Sequence, residues 1–483
     1  MLHKNIRDFI QFLENNGDLI RITALVDTEL EISRITDKCI KNGGPALLFE
    51  NVKNSNHSVV TNLFGTHQRM AWALGIQKSE ELTNKVDKIM NVVKIPPTSL
   101  LDKLRTLKEL AGMARTQPKL ISKGPCQEVI IENNPDLYTL PHLKCWPLDG
   151  GKYITLPLVF TKDPKTKKRN VGIYRMQIYD SKTAGMHWQT HKVGADHYRQ
   201  SQNLKEERLE VAVALGADPI TMWSGVLPLP PDIDELAVAG VLRESPVEMV
   251  RCKTIDMEVP AQSEIILEGY VIPGELRTEG PFGDHTGYYS LEDQYPVFHL
   301  TAITHRKDAI YPATVVGRPP SEDYYMGKAA ERLMLPALKL VIPEIIDINM
   351  PAEGVFKNLI IVSMKKQYPG HTRKVMNALW GLGQMMLVKT IVIVDHFVNV
   401  QNLSEVTWRV TSNLDPKNDV VFFDGPVDDL DHASKTPKIG SKMGIDATEK
   451  TESDGYNRKW PPDVIMDNDT INLVDKRWKE YGF

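Results

Sequence analysis

The sequence predicts a multidomain protein of mixed α/β class, on three observations. Its 483 residues correspond to about three domains of ordinary size. Apolar strands and amphipathic helices alternate towards both ends of the chain, whereas the middle is a series of short β-rich runs separated by Gly and Pro. The hydrophobic share of 42% and the charged share of 25% are those of a globular protein.

The first third of the chain has the pattern of an α/β module. Ile6–Asn15 has helical periodicity, and the Asn-Gly pair that follows it predicts the end of the helix. Leu19–Ile22 and Ala46–Phe49 are predicted strands. Helical segments are expected to follow as far as about Gly112.

From about Pro118 the sequence pattern becomes typical of a β-barrel or a strongly bent sheet. Short β-rich runs recur between Gly and Pro residues, which is not the pattern of parallel βαβ units. Two helical insertions are predicted, at Leu204–Leu215 and Ile233–Leu242. The predicted strands are Glu128–Ile131, Tyr153–Thr161, Val171–Tyr179, Glu264–Val271 and Val297–Thr304.

The last third predicts a long helix followed by a parallel α/β sheet. Glu322–Leu340 is the amphipathic helix, with an interruption or offset expected near Pro336. Strands and helices then alternate, which is typical of a parallel sheet with right-handed crossovers. Gly440–Asp446 is a candidate loop that closes over a site, and a final helix is expected near Thr470–Glu480. The alternating elements are strands at Leu359–Met364, Thr390–Asp395 and Val420–Phe423, and helices at His371–Gly381 and Ser404–Asn413.

Composition and charge exclude several classes of protein. The net charge is −4 with acids and bases interspersed, so there is no electrostatic footprint for nucleic acid. The four cysteines are far apart without a CxxC pair, which argues against a disulfide framework or a structural zinc site and fits the cytoplasm. The N-terminus lacks the apolar core of a signal peptide, and no stretch approaches ~20 consecutive apolar residues. We expect a soluble, cytoplasmic protein.

A first candidate site surrounds Asn170 and Arg175, which flank a predicted strand. An extended strand would separate them by ~16 Å, which suits the two ends of an elongated ligand such as flavin mononucleotide. His187 and His191 are four residues apart, so on a helix they would share a face and could reach one metal ion. The alternative is that Asn170 caps a strand and the histidines lie on a polar surface.

A second candidate is Glu235, which follows a Pro-rich segment and opens a predicted helix. A carboxylate near a helix N-terminus is favoured by the helix dipole alone. A metal role follows if Asn170 and a histidine converge on it, because such oxygen and nitrogen ligands suit Mn²⁺ or Mg²⁺.

A third candidate is the loop that carries Glu279 and Asp284. Its Gly and Pro residues allow the backbone to approach a ligand closely. Different environments could keep one carboxylate ionised and let the other deliver a proton, and Arg175 is a natural partner for Glu279. The alternative is a solvated turn with incidental acids.

In this order, these motifs resemble those of the UbiD family of decarboxylases, over essentially the whole chain. The C-terminal motifs are most similar to those of members that decarboxylate 4-hydroxy-3-polyprenylbenzoate in ubiquinone biosynthesis, or a related naphthoate in menaquinone biosynthesis. The matching segments are NVGIYRMQ at 170–177, MHWQTHK at 186–192, the approach to Glu235, EGPFGDHTGYY at 279–289, KKQYPGHTRKVM at 365–376, VTSNLDP at 410–416 and GSKMGIDAT at 440–448.

The resemblance implies an N-terminal α/β domain, a central split β-barrel of flavin-reductase type, a long linking helix and a C-terminal parallel α/β domain. We assign these to residues 1–117, 118–320, 321–341 and 342–455, with a C-terminal tail and helix at 456–483.

The resemblance also implies a carboxy-lyase that uses prenylated FMN, with a divalent metal, commonly Mn²⁺, and often K⁺ at the cofactor phosphate. By position, Asn170, His187 and Glu235 match metal ligands. The polyprenylbenzoate enzymes can carry Arg at the third ligand's place, and His191 is an outside candidate. The residues that match cofactor contacts are Asn170, Ile173, Tyr174, Arg175, His187, Trp188, Gln189, Lys192, Val193 and Glu235.

The catalytic residues implied by the resemblance are Arg175, Glu279 and Asp284. Arg175, paired with Glu279, is expected to hold the leaving carboxylate. Asp284 is expected to protonate the ring carbon after CO₂ departs. For that role Asp284 must start protonated at neutral pH, and partial desolvation of its loop is expected to raise its pKa.

The expected partners follow from this chemistry. The substrate is an aromatic carboxylic acid with a prenyl tail, a flavin prenyltransferase supplies the cofactor, and the tail implies peripheral contact with the inner membrane through an apolar patch. The resemblance implies a homodimer or a hexamer. Alternatives are a menaquinone-pathway naphthoate decarboxylase, a reversible (de)carboxylase of small phenolic acids and, in a different class, a non-catalytic cofactor-binding subunit.

Overall fold

Four β-sheets with helices packed against them make up the part of the chain that the computed structural model describes, residues 2–77, 81–83, 112–230 and 233–483. The mixed α/β class predicted from the sequence is confirmed. The bounded helices are α1 (Ile6–Asn15), α2 (Glu31–Lys41), α3 (His67–Ala73), α4 (Val193–Leu204), α5 (Pro219–Ser224), α6 (Glu235–Arg243), α7 (Glu322–Val341), α8 (His371–Trp380), α9 (Leu403–Asn413), α10 (Pro416–Asp419) and α11 (Asn468–Lys476). The strands are β1 (Leu19–Ile22), β2 (Ala46–Phe49), β3 (Ser58–Thr61), β4 (Lys119–Leu120), β5 (Val129–Ile131), β6 (Tyr153–Ile154), β7 (Leu158–Lys162), β8 (Arg169–Ile173), β9 (Met176–Ile178), β10 (Thr183–Met186), β11 (Leu209–Leu215), β12 (Glu248–Arg251), β13 (Glu258–Pro260), β14 (Ile265–Glu279), β15 (Asp293–His305), β16 (Ile310–Pro312), β17 (Ile345–Asn349), β18 (Leu359–Met364), β19 (Thr390–Asp395), β20 (Val420–Pro426) and β21 (Ile439–Asp446).

The first sheet takes three strands from the N-terminal segment and one from much later in the chain, in the order β1-β2-β3-β16. Helix α1 buries Ile6, Phe9 and Leu13 in the adjoining core, as its periodicity requires. The predicted bounds of α1, β1 and β2 are confirmed. The helical segments expected as far as Gly112 fall largely on residues 84–111, which lie outside the described residues.

The central sheet has nine strands in the order β6-β9-β10-β15-β14-β11-β7-β8, with β5 added beside β15. Its pairings are antiparallel. The long strands β14 and β15 shift register at Glu268/Gly269 and again between Val271 and Leu276. Because such irregularities bend a strand, the sheet curls into a half-barrel, and the predicted bent sheet is confirmed.

Two segments predicted as single strands are each divided by a turn. Tyr153–Thr161 forms β6 and β7, and Val171–Tyr179 forms β8 and β9. Strand β8 lies at one end of the sheet and β9 near the other. The chain therefore crosses between the two ends of the curled sheet within two residues, and no extended strand connects Asn170 to Arg175.

The helix predicted at Leu204–Leu215 is wrong for most of its length. Helix α4 ends at Leu204, and Leu209–Leu215 is strand β11, paired with β14 on one side and β7 on the other. Both faces of β11 are buried along most of its length, and its sequence is apolar except for the half-buried Glu210. A short apolar run of this kind does not distinguish a buried strand from a buried helix by periodicity.

The long helix α7 is uninterrupted, so the break expected near Pro336 is wrong. Pro336 lies inside the helix and is buried together with Leu335 and Leu338. A proline in a helix removes one backbone hydrogen bond, and burial of the surrounding apolar side chains outweighs that loss. Helix α7 contacts α3 at one end and β17 at the other.

The C-terminal sheet is mixed rather than parallel, in the order β17-β18-β19-β21-β20. The central pairings β18-β19 and β19-β21 are parallel, as predicted. The outer pairings β17-β18 and β20-β21 are antiparallel. The candidate closing loop Gly440–Asp446 is instead part of β21, because its backbone is paired on both sides.

The C-terminal segment ends in α11, where the sequence predicts a helix near Thr470–Glu480. Most side chains from about Val464 onwards are exposed. Among the described residues, none of the helices has the length and apolar character needed to span a bilayer.

Candidate active site

Arg175 lies where the chain crosses between the two ends of the curled sheet, and it is buried. Its Nε donates to Glu279 Oε1 at 2.8 Å and its Nη2 to Glu279 Oε2 at 3.1 Å, which is a two-point guanidinium–carboxylate pairing. Nη1 donates to Asp284 Oδ2, and Nη2 also to Ser290 Oγ at 3.0 Å. The guanidinium carbon lies 4.6 Å from the ring centre of Phe282. The three predicted catalytic residues are thus in direct contact.

His187 joins this cluster through Glu279. Its Nδ1 lies 3.0 Å from Glu279 Oε2, and its ring centre lies 4.4 Å from that of Tyr295. His187 follows directly after β10, and α4 begins only after His191, so the expectation that the two histidines share a helix face is wrong. His191 is exposed.

The loop that carries Asp284 is held by groups that the sequence analysis did not identify. Gly283 N donates to Asp149 Oδ1 at 2.7 Å, and Gly280 N donates to Gln177 Oε1 at 2.8 Å. Gln177 was detectable as the polar residue of an otherwise apolar strand. Asp149 lies 134 positions from its partner, and no local pattern indicates such a contact.

Glu279 is ionised in this arrangement. Burial by itself would raise the pKa of its carboxyl group, but the charge of Arg175 and the hydrogen bond from His187 outweigh it and lower the pKa to about 2.

Asp284 is also ionised, which contradicts the expectation that its loop raises the pKa. Burial acts in the raising direction, but the neighbouring His285 and Arg175 outweigh it, and the pKa of Asp284 lies well below its usual range. Two donors on one carboxylate stabilise the charged form. Asp284 must therefore acquire a proton before it can act as an acid.

Glu235 contacts strand β8 at the residue that follows Asn170. Asn170 and Glu235 are both buried, and Glu235 Oε2 accepts a hydrogen bond from the backbone N–H of Val171 at 3.1 Å. Asn170 Nδ2 donates to Thr161 Oγ1 at 3.4 Å. The carboxylate of Glu235 is thus bonded to the backbone one residue away from Asn170, and their role as metal ligands stays a prediction.

Glu235 is a buried carboxylate without a matching cation in the described chain. It is the first residue of α6, and Arg169, the nearby cation, pairs instead with Asp234 at 2.5 Å. Burial, reinforced by the charge of Asp234, raises the pKa of Glu235 to about 7. A bound cation would relieve that cost.

The start of α4 lies against the same strand. The hydroxyl group of Tyr174 lies near the Asn170 side chain and the backbone of Gly194, and α4 contacts β8. No side chain caps the N-terminus of α4, where Lys192 is the capping residue, so its backbone N–H groups are available to an anion. Burial, and then the charge of Lys357, lowers the pKa of Lys192 to about 8.

The remaining predicted cofactor residues lie at the same strand ends. Ile173 ends β8, Trp188 and Gln189 follow β10, and Val193 begins α4. Two buried ring nitrogens, His187 Nε2 and Trp188 Nε1, have no hydrogen-bond partner among the described residues. Buried polar atoms of this kind are costly unless a ligand satisfies them, so these residues fit a polar cofactor.

The described residues supply only some of the ligands that a metal ion would need. Within the described ranges, no three His, Cys, Asp or Glu side chains are grouped to hold a metal ion. Asn170 and Glu235 supply oxygens that suit Mn²⁺ or Mg²⁺, whereas the recorded contacts of His187 are with Glu279 and Tyr295. Its role as a ligand stays a prediction.

Segments that connect strands of the C-terminal sheet contact residues of the candidate site. Lys192 Nζ donates to Gln384 Oε1 at 3.0 Å. The ring of Tyr288, in the Asp284 loop, lies 4.1 Å from the ring of His432, which precedes β21. These contacts link the Lys192 and Asp284 segments to connecting segments of the C-terminal region.

The chain matches the domains of one family along most of its length. Residues 10–89, 119–319 and 324–447 match, respectively, the N-terminal, Rift-related and C-terminal domains of 3-octaprenyl-4-hydroxybenzoate carboxy-lyase, the UbiD family. An uncharacterized protein of Archaeoglobus fulgidus is 48% identical over 481 residues, which is 99% of both chains.

Solved structures of the same class are similar throughout. The vanillic acid decarboxylase of Sedimentibacter hydroxybenzoicus in closed form has a TM-score of 0.87 at 28% identity, covering 100% of both chains. In open form the TM-score is 0.78 at 27% identity, with coverage of 100% and 99%. The UbiD-class enzyme HmfF of Pelotomaculum thermopropionicum, in an evolved dimeric form with prFMN, has a TM-score of 0.76 at 28% identity, with coverage of 95% and 97%. Members of the family are decarboxylases that use prenylated FMN. This chain belongs to the UbiD family of carboxy-lyases.

Proposed function

We propose that the chain catalyses non-oxidative decarboxylation of a hydroxylated aromatic acid, with prenylated FMN as cofactor. The observation that carries the proposal is the buried cluster in which Arg175 contacts both Glu279 and Asp284. When bound, prenylated FMN supplies the electron sink that loss of CO₂ from an aromatic ring requires.

The residues of the cluster have separate tasks. Arg175 binds the substrate carboxylate, because it is a planar cation held in a site from which water is largely excluded. Glu279 fixes the orientation of Arg175 through the two-point pairing. Asp284 protonates the ring carbon that the carboxylate leaves, after it has itself gained a proton.

Two groups of residues would hold the cofactor. Asn170 and Glu235 would hold a divalent cation, for which we propose Mn²⁺, that would neutralise the charge of the cofactor phosphate, with His187 as a candidate third ligand and K⁺ as a further cation. The N-terminus of α4 with Lys192 supports the same phosphate. The groups that would contact the rest of the cofactor are Ile173, Tyr174, Arg175, Trp188, Gln189 and Val193.

The substrate that we propose is a 4-hydroxy-3-polyprenylbenzoate of the ubiquinone pathway. The resemblance of the C-terminal motifs supports it. A second candidate is a small phenolic acid, which is supported by the TM-score of 0.87 against a vanillic acid decarboxylase. A menaquinone-pathway naphthoate is the third.

The experiment is co-production of the chain with a flavin prenyltransferase, followed by measurement of CO₂ release from these three acids. We expect release from at least one acid, and none when the prenyltransferase is omitted. Asp284→Asn should retain the cofactor, measured by absorbance, and lose turnover, because the N–H groups of an amide are too weakly acidic to deliver a proton. Asp293→Asn, the same change at an exposed position, is the control.

Two outcomes would contradict the proposal. Near-wild-type turnover by Asp284→Asn would exclude the acid role of that residue. A cofactor-loaded wild-type chain that released CO₂ from none of the acids would favour the non-catalytic subunit.

We further propose that the chain forms a homodimer or a hexamer and works in the cytoplasm, with peripheral contact to the inner membrane if its substrate carries a long tail. The HmfF structure in an evolved dimeric form supports an oligomer by analogy.

A further inference from the structure

His285 and Asp284 form a close pair behind Arg175. Asp284 Oδ1 accepts hydrogen bonds from the backbone N–H of His285 and from His285 Nδ1, both at 2.7 Å. The other oxygen of Asp284 faces Arg175. One side of the carboxylate is therefore directed at the proposed substrate position, and the other is directed at a titratable ring.

The charges around His285 come from four elements. Asp284 lies in its own loop, Asp323 lies in the first turn of α7, Lys357 precedes β18 and Asp428 follows β20. The ring centre of Phe356 lies 5.7 Å from that of His285, and a fifth of the histidine side chain is exposed. His285 thus connects the buried carboxylate with a partly open, charged boundary between the sheets.

In this arrangement the proton of the pair resides on the histidine. Burial would lower the pKa of His285, but the adjoining carboxylate of Asp284 outweighs it and raises the pKa. Burial and the charge of Asp284 raise the pKa of Asp323 to about 6, although His285 opposes this.

Substrate binding would favour transfer of the proton from His285 to Asp284. A substrate carboxylate on Arg175 places a second negative charge beside Asp284 and takes up part of the guanidinium that stabilised it. Both effects favour the protonated form of Asp284.

We propose, on the basis of the proposed function, that His285 supplies the proton that Asp284 delivers. The Nδ1–H bond of His285 breaks and an O–H bond forms at Asp284 Oδ1. Asp284 then passes that proton to the ring carbon as CO₂ leaves, and His285 regains a proton from solvent, to which its side chain is partly exposed. The sum is one proton consumed and one CO₂ released per acid. His285 acts only through Asp284, so it is a positioning residue.

The main variant is His285→Asn, because its amide nitrogen can replace Nδ1 as a donor but cannot titrate. We expect unchanged cofactor absorbance, a KM within about twofold of wild type and a kcat lower by about 100-fold, the ordinary effect of losing a proton-transfer group. In wild type, kcat should fall as the pH rises above the pKa of His285, and this limb should be absent in the variant. Added imidazole should partly restore turnover in His285→Ala.

The matched control is His299→Asn. His299 forms a similar pair with Glu275, at 2.6 Å, on the outer part of the central sheet, and its replacement should leave kcat and the pH profile unchanged. A wild-type kcat and pH profile in His285→Asn would overturn the relay while the proposed function stands.

A second measurement does not depend on activity. Histidine-labelled protein without cofactor is titrated by NMR, and the His285 signal is assigned by its absence from His285→Asn. We expect the pKa of His285 above its ordinary value in wild type and a decrease in Asp284→Asn. An unchanged pKa in Asp284→Asn would show that the pair does not share the proton, and the relay would be wrong even if every acid were turned over.

Discussion

At the residue scale, one buried arginine organises the site. Its charge is shared by two carboxylates, each of which has a further donor, His187 on Glu279 and His285 on Asp284. Removal of one member of a buried charge network leaves the charges of its partners uncompensated. The resulting loss of stability is larger than the stability that the intact network contributes. The cluster should therefore affect stability as well as catalysis.

Glu279→Gln tests this through the pH dependence of stability. The pKa of folded Glu279 lies below its usual value of 4.5, at about 2, so its contribution is present above about pH 4.5 and is lost as the pH falls towards 2. We expect the variant to be less stable by about 3 kcal/mol at pH 7, with a smaller difference at pH 3. Urea unfolding at both pH values measures it. A loss of stability that is equal at pH 7 and pH 3 would contradict the lowered pKa of Glu279. Exposed Glu292→Gln is the control.

Glu235→Gln tests the proposed cation site. The amide keeps an oxygen for Val171 N–H but removes the negative charge that a divalent cation needs. We expect purified protein with little flavin absorbance and little bound Mn²⁺, measured by elemental analysis. Exposed Glu248→Gln should load as wild type does. Full flavin occupancy in Glu235→Gln would exclude the anchoring role.

At the element scale, local patterns identified elements where one face is buried and the other is solvated. Helix α1 has such a stripe, and its bounds were predicted from it. Strand β11 is buried on both faces, so its pattern carries no period, and the prediction of a helix failed there. Strand β21 was missed because its Gly and Lys residues are typical of loops, although Lys442 is buried within the sheet.

Gly370 provides a test of one element, helix α8. Its φ of 78° lies in the left-handed region, where a side chain is strained. Gly370→Ala should destabilise the protein by about 1 kcal/mol, although no heavy atom lies within 4 Å of the added Cβ. Gly381→Ala, at the other end of the helix with φ of −92°, is the control and should have little effect. Equal denaturation midpoints for both variants would contradict the strain argument.

At the scale of the whole molecule, connecting segments of the C-terminal region contact the candidate site. The backbone superposes better on the closed form of the vanillic acid decarboxylase than on its open form, with TM-scores of 0.87 and 0.78. The contact between Lys192 and Gln384 joins one of these segments to the site in this arrangement.

Gln384→Ala should therefore shift the chain towards an open arrangement. We expect a larger radius of gyration by small-angle scattering and a lower kcat/KM, because the covered site is less often assembled. Gln401→Ala removes hydrogen bonds to Asp347 and Ile348 within the C-terminal region and should not change the radius. Identical scattering from both variants would show that this contact does not control closure.

The types of residues and their order along the chain were enough to predict much of the chemistry of the site. The order of motifs predicted the family, the mixed α/β class and the candidate set around Arg175, because chemical groups and short-range periodicity are properties of neighbouring residues. The domain boundaries and the roles of the cofactor residues stay predictions.

Only the tertiary structure decided which groups meet and how they are charged. Arg175 and Glu279 are 104 positions apart, and they meet because register shifts curl the central sheet until its ends adjoin. Asp149 and His285 took on their roles through the same folding. The ionised state of Asp284 was not predictable from its loop, since a pKa depends on every charge and donor in the surrounding space.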